Sequence, residues 1–435
     1  MFDRKYCLVM IPALWIVVVL MSANSHLNAC TTAVISGRAT ADGRPILWKN
    51  RDTKSGRHNE VVFMQKGKYK AVAVVNANNY KTVWMGVNEA GFCIENSLSR
   101  DLQDSEKSKG PGNGGLMKRA LETCATVADF QALLDKTNAS GRTTVANFGV
   151  IDAAGGAALF ETGPKEYAFY DANDPKVAPH GYIVRSNFSM TANQLPANPD
   201  FKTIRKIYSS DRYCQACSRL ISQESKGITI DYAVQNLTRD LSSINGTPFP
   251  GSINGAAKKL PAVIATDKTI SRTTTVSAAV FHGVKPGEDP LLTTMWTILG
   301  DPKFSIAVPC WVATEEIADP LTDKNGGELG EIAILLREWN LNKNASGVIT
   351  THLPSIWNDL WPTEKQILKQ TAQAMQTWNR DGLSKPQMKE LHRELAELAM
   401  KSMQKELREM KQIALSMPAP KPPKFKPVTK TIVVP

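Results

Sequence analysis

The chain has 435 residues, a formal net charge of +11 and an apolar fraction of 42%, which suits one large globular domain with an appendage. The basic excess is concentrated in residues 363–435 and the rest of the chain is close to charge balance, so composition does not indicate a nucleic-acid enzyme or a nucleic-acid partner. The seven cysteines, with Cys214 and Cys217 as a single CxxC pair, define neither a disulfide framework nor a zinc site.

The N-terminus is typical of a secretory signal. Two basic residues precede an uncharged apolar run over residues 8–21, and Ala29 supplies a small residue directly before Cys30. The apolar run is shorter than the roughly 18–20 residues that a membrane-spanning helix needs. We therefore predict that residues 1–29 are a cleaved signal peptide, that the protein is periplasmic or secreted, and that Cys30 becomes the first residue of the mature chain.

The same boundary supports a second interpretation. Residues 27–30, Leu-Asn-Ala-Cys, also resemble a bacterial lipoprotein box, in which the cysteine is lipidated. Because lipidation would cap both the thiol and the amine of Cys30, this alternative predicts a lipid-anchored envelope protein that has a binding or scaffold role and no catalytic activity.

Downstream of this boundary, groups of short strands alternate with helices. A hairpin is predicted over 31–38 and 44–49, because Asp42-Gly43 is a turn signal between two β-prone runs. This order predicts an α+β fold of antiparallel sheets with helices on their outer faces. The other predicted strands cover 60–65, 70–77, 82–88, 92–96, several in 146–173, 181–188, 270–283, 291–300 and 304–312, and the predicted helices cover 114–136, 200–222 and 229–242.

The last part of the chain differs in character. Residues 363–416 are predicted to be a charged helical extension, in which a helix starting after Ser384 carries apolar residues at intervals of three and four. We expect this apolar stripe to pack on the domain of residues 30–362 rather than to form a coiled coil. The Pro/Lys-rich tail, 417–435, either contacts an anionic surface or keeps the protein soluble. The sequence leaves homo-oligomer formation open.

An N-terminal cysteine combines a nucleophile and a base in one residue. The thiolate attacks a carbonyl carbon, and the α-amine, whose unperturbed pKa is about 8, accepts the thiol proton at neutral pH. Such a site also needs an anion that holds the amine, a cation that favours the thiolate and donors for the tetrahedral oxyanion. Asp52 fits the first role, because a hairpin that begins at Cys30 returns close to its start. Either Arg51 or Lys49 supplies the positive charge.

The start of the predicted mature chain resembles that of a known family. CTTAVISGRATADGRPILWKNRDT, which begins at Cys30, is similar to the mature start of N-terminal nucleophile (Ntn) hydrolases of linear amides. This group contains choloylglycine hydrolases, penicillin V acylases and acyl-CoA:6-aminopenicillanic acid acyltransferase-like proteins. The resemblance spans about residues 30–312 and implies a four-layer αββα sandwich. Later segments that match in the same order are GVNEAGFCIENSL, ALFETGPKEYAFYDAND to YIVRSNF, ISRTTTVSAAVF and MWTILGDPKFSIAVPCWV.

The resemblance assigns roles to individual residues. It implies that Cys30 is both nucleophile and base and that Asp52 is the partner of its amine. Asn187 matches the family's oxyanion-hole asparagine, and Arg272 matches a late arginine near the thiol. Asn96 matches a second polar donor, although it fits the cap of a strand end equally well.

Two features of the sequence bear on this assignment. The bile-salt branch of the family has an Arg-x-x-Asp pair where this chain begins with Lys49, and lysine lacks the bidentate geometry of arginine. This difference favours the acyltransferase-like or broader amide-hydrolase branch. Asn187 also begins an Asn-Phe-Ser glycosylation sequon, and a glycan there would contradict a buried catalytic role.

We therefore expect an exported cysteine hydrolase that cleaves a linear amide of a small N-acyl substrate through a thioester on Cys30. Water is the expected acceptor, acyl transfer to another acceptor stays open, and neither a metal nor an organic cofactor is implied. A dipeptidase-like relative is a further interpretation, because Cys-Thr-Thr also begins such chains. The sequence leaves the acyl group open among bile acids, phenoxyacetyl groups, fatty acyl groups and acyl-homoserine lactones.

Overall fold

The computed structural model describes residues 29–103, 109–196, 199–242, 260–323 and 325–416. The predicted signal peptide, apart from Ala29, and the predicted Pro/Lys-rich tail therefore lie outside the described residues. Within the described ranges, no helix combines the length and the apolar character that crossing a membrane requires. The six cysteines of these ranges, including both members of the CxxC pair, are free thiols.

Two antiparallel sheets form the centre of the molecule. The first sheet contains β1 (Ala29–Ile35), β2 (Ile46–Asp52), β10 (Tyr182–Arg185), β12 (Thr275–His282), β13 (Thr294–Leu299) and β14 (Val308–Cys310), in the order β10-β1-β2-β12-β13-β14. The second sheet is a meander in chain order of β3 (Asn59–Met64), β4 (Ala71–Asn76), β5 (Met85–Asn88), β6 (Cys93–Leu98), β7 (Ala146–Ile151), β8 (Ala157–Thr162) and β9 (Tyr167–Asp171). A small separate sheet pairs β11 (Val263–Ala265) with β15 (Gly347–Ile349).

Helices cover the outer faces of both sheets. The helices are α1 (Asn113–Thr123), α2 (Val127–Ser140), α3 (Phe201–Ile204), α4 (Ser210–Ile221), α5 (Ile230–Tyr232, continued by a π-helical turn, Ala233–Leu237), α6 (Glu328–Trp339), α7 (Leu353–Asp381) and α8 (Lys385–Ser416). Single 3₁₀ turns are Pro290–Leu292, Pro302–Phe304, Val312–Thr314 and Asp319–Leu321. Helices α1 and α2 share an apolar core with the second sheet, and α4, α6 and α8 contact strands of the first. Because β1 and β2 also contact β6 and β7 of the second sheet, the layers run helix–sheet–sheet–helix. The predicted α+β sandwich with C-terminal helices is confirmed.

The hairpin of β1 and β2 places the predicted nucleophile beside the end of its partner strand. The two strands are in register along their whole length, with Cys30 opposite Arg51 and Ile35 opposite Ile46. The predicted turn lies between them, where Gly43 has a positive φ of 77° that favours glycine. The expectation that the chain returns close to Cys30 is therefore confirmed.

Several predicted elements differ from the observed ones: the strand predicted over 304–312 is observed only at Val308–Cys310, and the helix predicted over 229–242 ends in a π-helical turn at Leu237. The helix predicted over 114–136 is interrupted between α1 and α2, because Thr126 and Asp129 form a capping box that starts a new helix. The helix predicted over 200–222 is interrupted between α3 and α4, where Ser209 has a left-handed φ of 68°. The strand predicted over 181–188 ends at Arg185, so the asparagine that follows it lies in a loop.

The C-terminal helices are packed on the domain. Helix α7 runs without interruption across the predicted boundary at residue 362 and contains Pro362 in its interior. Helix α8 begins directly after Ser384, as predicted, and Met388 is fully buried against the domain. The apolar stripe of α8 therefore packs as expected, against α6, α7 and β14.

Candidate active site

Cys30 lies at the start of β1 and only 6% of it is exposed. Burial raises the pKa of its thiol, whereas the charge of Lys49 and a backbone hydrogen bond from Asp52 lower that pKa. The negative charge of Asp52 raises the pKa of the thiol, and the positive charge of the nearby Arg51 guanidinium lowers it. The pKa of the thiol is raised overall, because the effect of burial exceeds that of the charges of Lys49 and Arg51, which favour the thiolate.

A cleft of about 520 Å³ opens beside Cys30, which is a size typical of small-molecule sites. Residues of both sheets and the first turn of α1 contribute to it, so the site is assembled from distant parts of the sequence. The lining includes Cys30, Lys49, Arg51, Asp52, Thr82, Trp84, Asn96, Leu98, Gly112, Asn113, Gly114, Gly115, Thr143 and Val145.

Asn187 holds the backbone of the nucleophile. Its Oδ1 accepts hydrogen bonds from the backbone N–H of Cys30 at 3.0 Å and from Nη2 of Arg212 at 2.6 Å. Its Nδ2 donates to the backbone oxygen of Leu98 at 2.7 Å, so in this geometry Asn187 accepts at Cys30 and does not donate into the cleft. Because the side chain is fully buried and bonded at both ends, the glycosylation alternative does not apply to the folded chain.

Asp52 and Arg272 lie together at the end of β2. Asp52 Oδ1 accepts a hydrogen bond from Thr275 Oγ1 at 2.7 Å, and its Oδ2 lies 3.6 Å from Arg272 Nη1. That separation is too long for a hydrogen bond, and Asp52 Oδ2 has no hydrogen-bond partner among the described residues. Burial raises the pKa of the Asp52 carboxyl, and the charges of Arg272 and Arg212 act in the opposite direction.

Asn96 is oriented by a buried lysine. Lys49 Nζ donates to Asn96 Oδ1 at 2.7 Å and to the backbone oxygen of Trp84 at 2.7 Å. A lysine only donates, so the oxygen of the Asn96 amide must face Lys49. The Nδ2 group of Asn96 is therefore on the side of the amide that points away from Lys49. Burial lowers the pKa of Lys49, and the negative charges available at Cys30 and Glu95 raise it.

Arg51 lines the cleft, and its guanidinium contacts neutral side chains rather than a carboxylate. Its guanidinium packs 4.5 Å from the centre of the Trp84 ring. Nη1 donates to Asn59 Oδ1 at 3.1 Å, and Nη2 donates to Asn76 Oδ1 at 3.0 Å. Burial lowers the pKa of Arg51 to about 10, so this residue is a cation at neutral pH.

Arg212 is a site residue that the sequence did not reveal. It extends from α4, donates to the backbone oxygen of Cys30 and to Thr31 Oγ1, and reaches the side chain of Asn187. Burial lowers its pKa to about 10. In the sequence it is one polar residue in an amphipathic helix that matches no motif, so only the docking of α4 on β1 indicates its position.

Glu95 is a second residue that the sequence did not reveal. It is fully buried between the sheets, where Thr32 Oγ1 donates to its Oε1. Gly149 of β7 leaves room for this carboxyl. A Cβ added to Gly149 would lie 2.2 Å from Glu95 Oε1, so any larger residue at this position would collide with it. Burial raises the pKa of Glu95 to about 8, although the charge of Lys49 lowers it.

The predicted site residues thus fall into one region of the molecule. Cys30, Asp52, Asn187 and Arg272 form one connected group at the start of β1. Asn96 and Arg51 line the same cleft from the second sheet and from β2. The arrangement combines a buried thiol, cations that favour its ionised form, a carboxylate and an oriented amide donor.

No protein-family model matches the chain, and no curated protein matches it. The chain does match several solved structures. Penicillin V acylase from Agrobacterium tumefaciens is 15% identical with a TM-score of 0.40, over 69% of this chain and 89% of that one. A variant of conjugated bile acid hydrolase from Clostridium perfringens is 11% identical with a TM-score of 0.39, over 68% and 95%. The Caenorhabditis elegans orthologue of N-acylethanolamine-hydrolyzing acid amidase is 12% identical with a TM-score of 0.38, over 58% and 92%.

The acylase and the bile acid hydrolase belong to the group of Ntn hydrolases that the sequence resembles. The TM-scores of 0.38–0.40 are too low to assign the activity of any of these proteins to this chain.

Proposed function

We propose that this protein is an exported cysteine hydrolase that cleaves the amide bond of a small N-acyl substrate through a thioester on Cys30. The observation that carries the proposal is the group at the start of β1. There a buried thiol lies beside two cations, Lys49 and Arg51, and beside a buried carboxylate, Asp52, that has an unused acceptor oxygen. This combination supports nucleophilic catalysis by a cysteine that needs no histidine.

Removal of residues 1–29 would convert the backbone N–H of Cys30 into a free amine. One hydrogen of that amine already has an acceptor, Asn187 Oδ1, at 3.0 Å. Cleavage also removes Ala29, which is the register partner of Asp52, and so opens the position beside the carboxylate. Asp52 Oδ2, which has no hydrogen-bond partner in the described chain, then serves as a second acceptor for the amine.

The reaction follows from these positions. The free amine takes the thiol proton, and Cys30 Sγ forms a bond to the carbonyl carbon of the substrate. The oxyanion of the tetrahedral intermediate accepts a hydrogen bond from Asn96 Nδ2, and the C–N bond breaks as the ammonium returns the proton to the leaving nitrogen. Water then adds to the thioester, which releases the acid and restores the thiol and the amine.

The decisive experiment follows the N-terminus and the activity of the same preparation. The full-length chain is expressed in a host that exports it, and the intact mass of the purified product is measured before assays. The assay panel contains N-acyl glycines, phenoxyacetyl amides, N-acylethanolamines and dipeptides. We expect a chain that begins with an unmodified Cys30 and cleaves at least one class of N-acyl amide.

Two cysteine variants provide the matched comparison. Cys30→Ser should lose at least about 100-fold in kcat/KM, because a hydroxyl is a far weaker nucleophile than a thiolate. Cys214→Ser changes a half-buried cysteine of α4 and should stay within about twofold of the unchanged protein. A chain in which Cys30 remains internal or carries a lipid contradicts the proposal, and so does undiminished turnover by Cys30→Ser.

A further inference from the structure

A second cavity, of about 380 Å³, lies at the other end of the six-stranded sheet from Cys30. It is lined by His282 of β12, whose register partner on β2 is Ile46, whereas the nucleophile lies beside Asp52 at the opposite end of β2. Seven residues of extended strand separate these ends by about 20 Å. The cavity is therefore distinct from the cleft at Cys30, with which it shares no lining residue.

The walls of this cavity are mainly apolar. One face of α7 supplies one wall, and residues around β12 and β13 supply the other. The α7 residues recur at intervals of three and four, as expected for one helix face. The lining from α7 is Leu368, Thr371, Ala372, Met375, Gln376, Asn379 and Arg380, and the opposite wall includes Ile230, Val284, Leu292, Thr294 and Trp296.

Two buried polar groups in this lining lack hydrogen-bond partners. Trp296 and Thr371 are each only 2% exposed, yet neither Nε1 of the indole nor Oγ1 of the threonine has a partner in the described chain. The neighbouring Trp311 differs, because its Nε1 donates to Thr294 Oγ1 at 2.7 Å. Buried donors are almost always paired in folded proteins, so an unpaired indole N–H in a cavity wall indicates an acceptor that the protein itself does not provide.

The cationic side chains at the rim are paired with carboxylates. Arg44 lies 3.0 Å from Asp42 and 2.5 Å from Glu288, and Arg380 lies 2.7 Å from Asp381. These guanidinium groups are therefore not available to an anionic ligand, and the apolar walls favour a neutral molecule.

We propose that this cavity is a second binding site, for a neutral and mostly apolar molecule that presents a hydrogen-bond acceptor to Trp296 Nε1. An indole N–H only donates, so the recognised group is an oxygen such as that of a ketone, an ester or an ether. The hydroxyl of Thr371 provides a further contact. The cavity volume of about 380 Å³ lies at the lower end of the range for small-molecule sites, so the expected ligand is a small molecule.

The test uses two probes of the same shape, acetophenone and α-methylstyrene, in which a methylene group replaces the carbonyl oxygen. Binding to the full chain is measured by ligand-observed NMR titration, and 5-fluorotryptophan labelling reports the location through the ¹⁹F resonance that Trp296→Phe removes. We expect saturable binding of acetophenone that shifts this resonance, and roughly 3- to 10-fold weaker binding of α-methylstyrene, because only the ketone accepts the indole hydrogen bond.

Variants separate this site from any other. Trp296→Phe should abolish the preference for the ketone while the hydrocarbon still binds, and Thr371→Val provides a second, nearly isosteric change if the first variant folds poorly.

Ala372→Phe narrows the cavity and should weaken both probes at least tenfold, whereas Gln373→Phe, an exposed position outside the lining, should leave binding within twofold. Absence of saturable binding, equal affinity for the two probes, or binding that survives Ala372→Phe would each overturn the proposal. The assay is independent of the catalytic activity proposed for Cys30.

Discussion

The two faces of the β1–β2 hairpin differ in how they hold charge. On the face toward the second sheet, Lys49 and Arg51 are buried cations whose hydrogen-bond partners are neutral oxygens. On the face toward the helices, Asp52 lies among the positive charges of Arg272 and Arg212. The first face therefore leaves positive charge available to the sulfur, and the second concentrates charge around the position of the predicted N-terminus.

This difference suggests a division of work around Cys30. A cation that is already paired with a carboxylate would have little effect on a nearby thiol, whereas an uncompensated cation in a dry environment has a large one. In the proposed mechanism, the inter-sheet face therefore controls ionisation of the thiol, and the helix face controls the orientation and protonation of the amine. Substitutions on the two faces should consequently change different kinetic properties.

The largest effect is expected on the helix face. Asp52→Asn keeps the shape of the side chain and an acceptor for Thr275 but removes the charge that holds the amine. We expect kcat/KM to fall about 10³-fold, within the range of general acid–base contributions, while the processed chain still begins at Cys30. Asp42→Asn, at the far end of the same sheet, is the matched control and should stay within about twofold. Retention of more than a tenth of the activity by Asp52→Asn would contradict the proposed role.

The next effect concerns the amide donor of the cleft. Asn96→Asp retains an acceptor for Lys49 but presents no N–H, and Asn96→Leu removes both functions. Loss of one oxyanion donor typically costs about 10²- to 10³-fold in kcat, and we expect both variants to fall in that range with little change in KM. If Asn96→Asp turns over as fast as the unchanged enzyme, the oxyanion is stabilised by another group.

A smaller effect, with a distinct signature, is expected on the inter-sheet face. Lys49 lowers the pKa of the Cys30 thiol, so Lys49→Met should raise that pKa. The acidic limb of the pH profile of kcat/KM should then move to higher pH by about one unit, with an approximately tenfold loss of activity at pH 7. Lys49→Arg retains the charge and should keep the limb in place. An unchanged limb in Lys49→Met would show that this cation does not control the sulfur.

The contrast between the faces also explains how much of the site the sequence could predict. The Asp42-Gly43 turn and the length of the hairpin are local features, so they placed Cys30 beside Asp52 correctly. The resemblance supplied Asn187 and Arg272, which no local pattern distinguishes from an ordinary loop asparagine and a strand-end arginine. Periodicity likewise predicted the packed helix α8, because an apolar stripe is a local property.

What the sequence could not predict depends on contacts between distant segments. Arg212 reaches Cys30 only because α4 docks on β1, and the orientation of the Asn187 amide is determined by that same arginine. The interruption between α3 and α4 depends on one residue, Ser209, whose left-handed backbone no propensity indicates. The burial of Glu95 could not be predicted from the sequence either, because a carboxyl on a strand is normally expected to face water.

Glu95 provides the last and smallest test of the inter-sheet face. Its pKa in the folded chain is about 8, above the ordinary value of 4.5, so the folded protein retains a proton that the unfolded chain releases between these pH values. Its contribution to stability is therefore fully present below about pH 4.5 and is lost as pH rises towards 8. Glu95→Gln removes this dependence and keeps a partner for Thr32, so turnover should change by no more than about twofold.

Denaturant unfolding at pH 5 and pH 8 measures the difference. Between pH 5 and pH 8, the unchanged protein should lose on the order of 3 kcal/mol of unfolding free energy through Glu95. Glu95→Gln should not lose this amount, because a neutral amide in this position has no proton to release. The exposed Glu390→Gln is the matched control and should follow the pH dependence of the unchanged protein. If both variants show the same slope, the carboxyl of Glu95 is ionised in the folded chain and Lys49 is compensated after all. The inter-sheet face would then lack the free positive charge on which its control of the thiol depends.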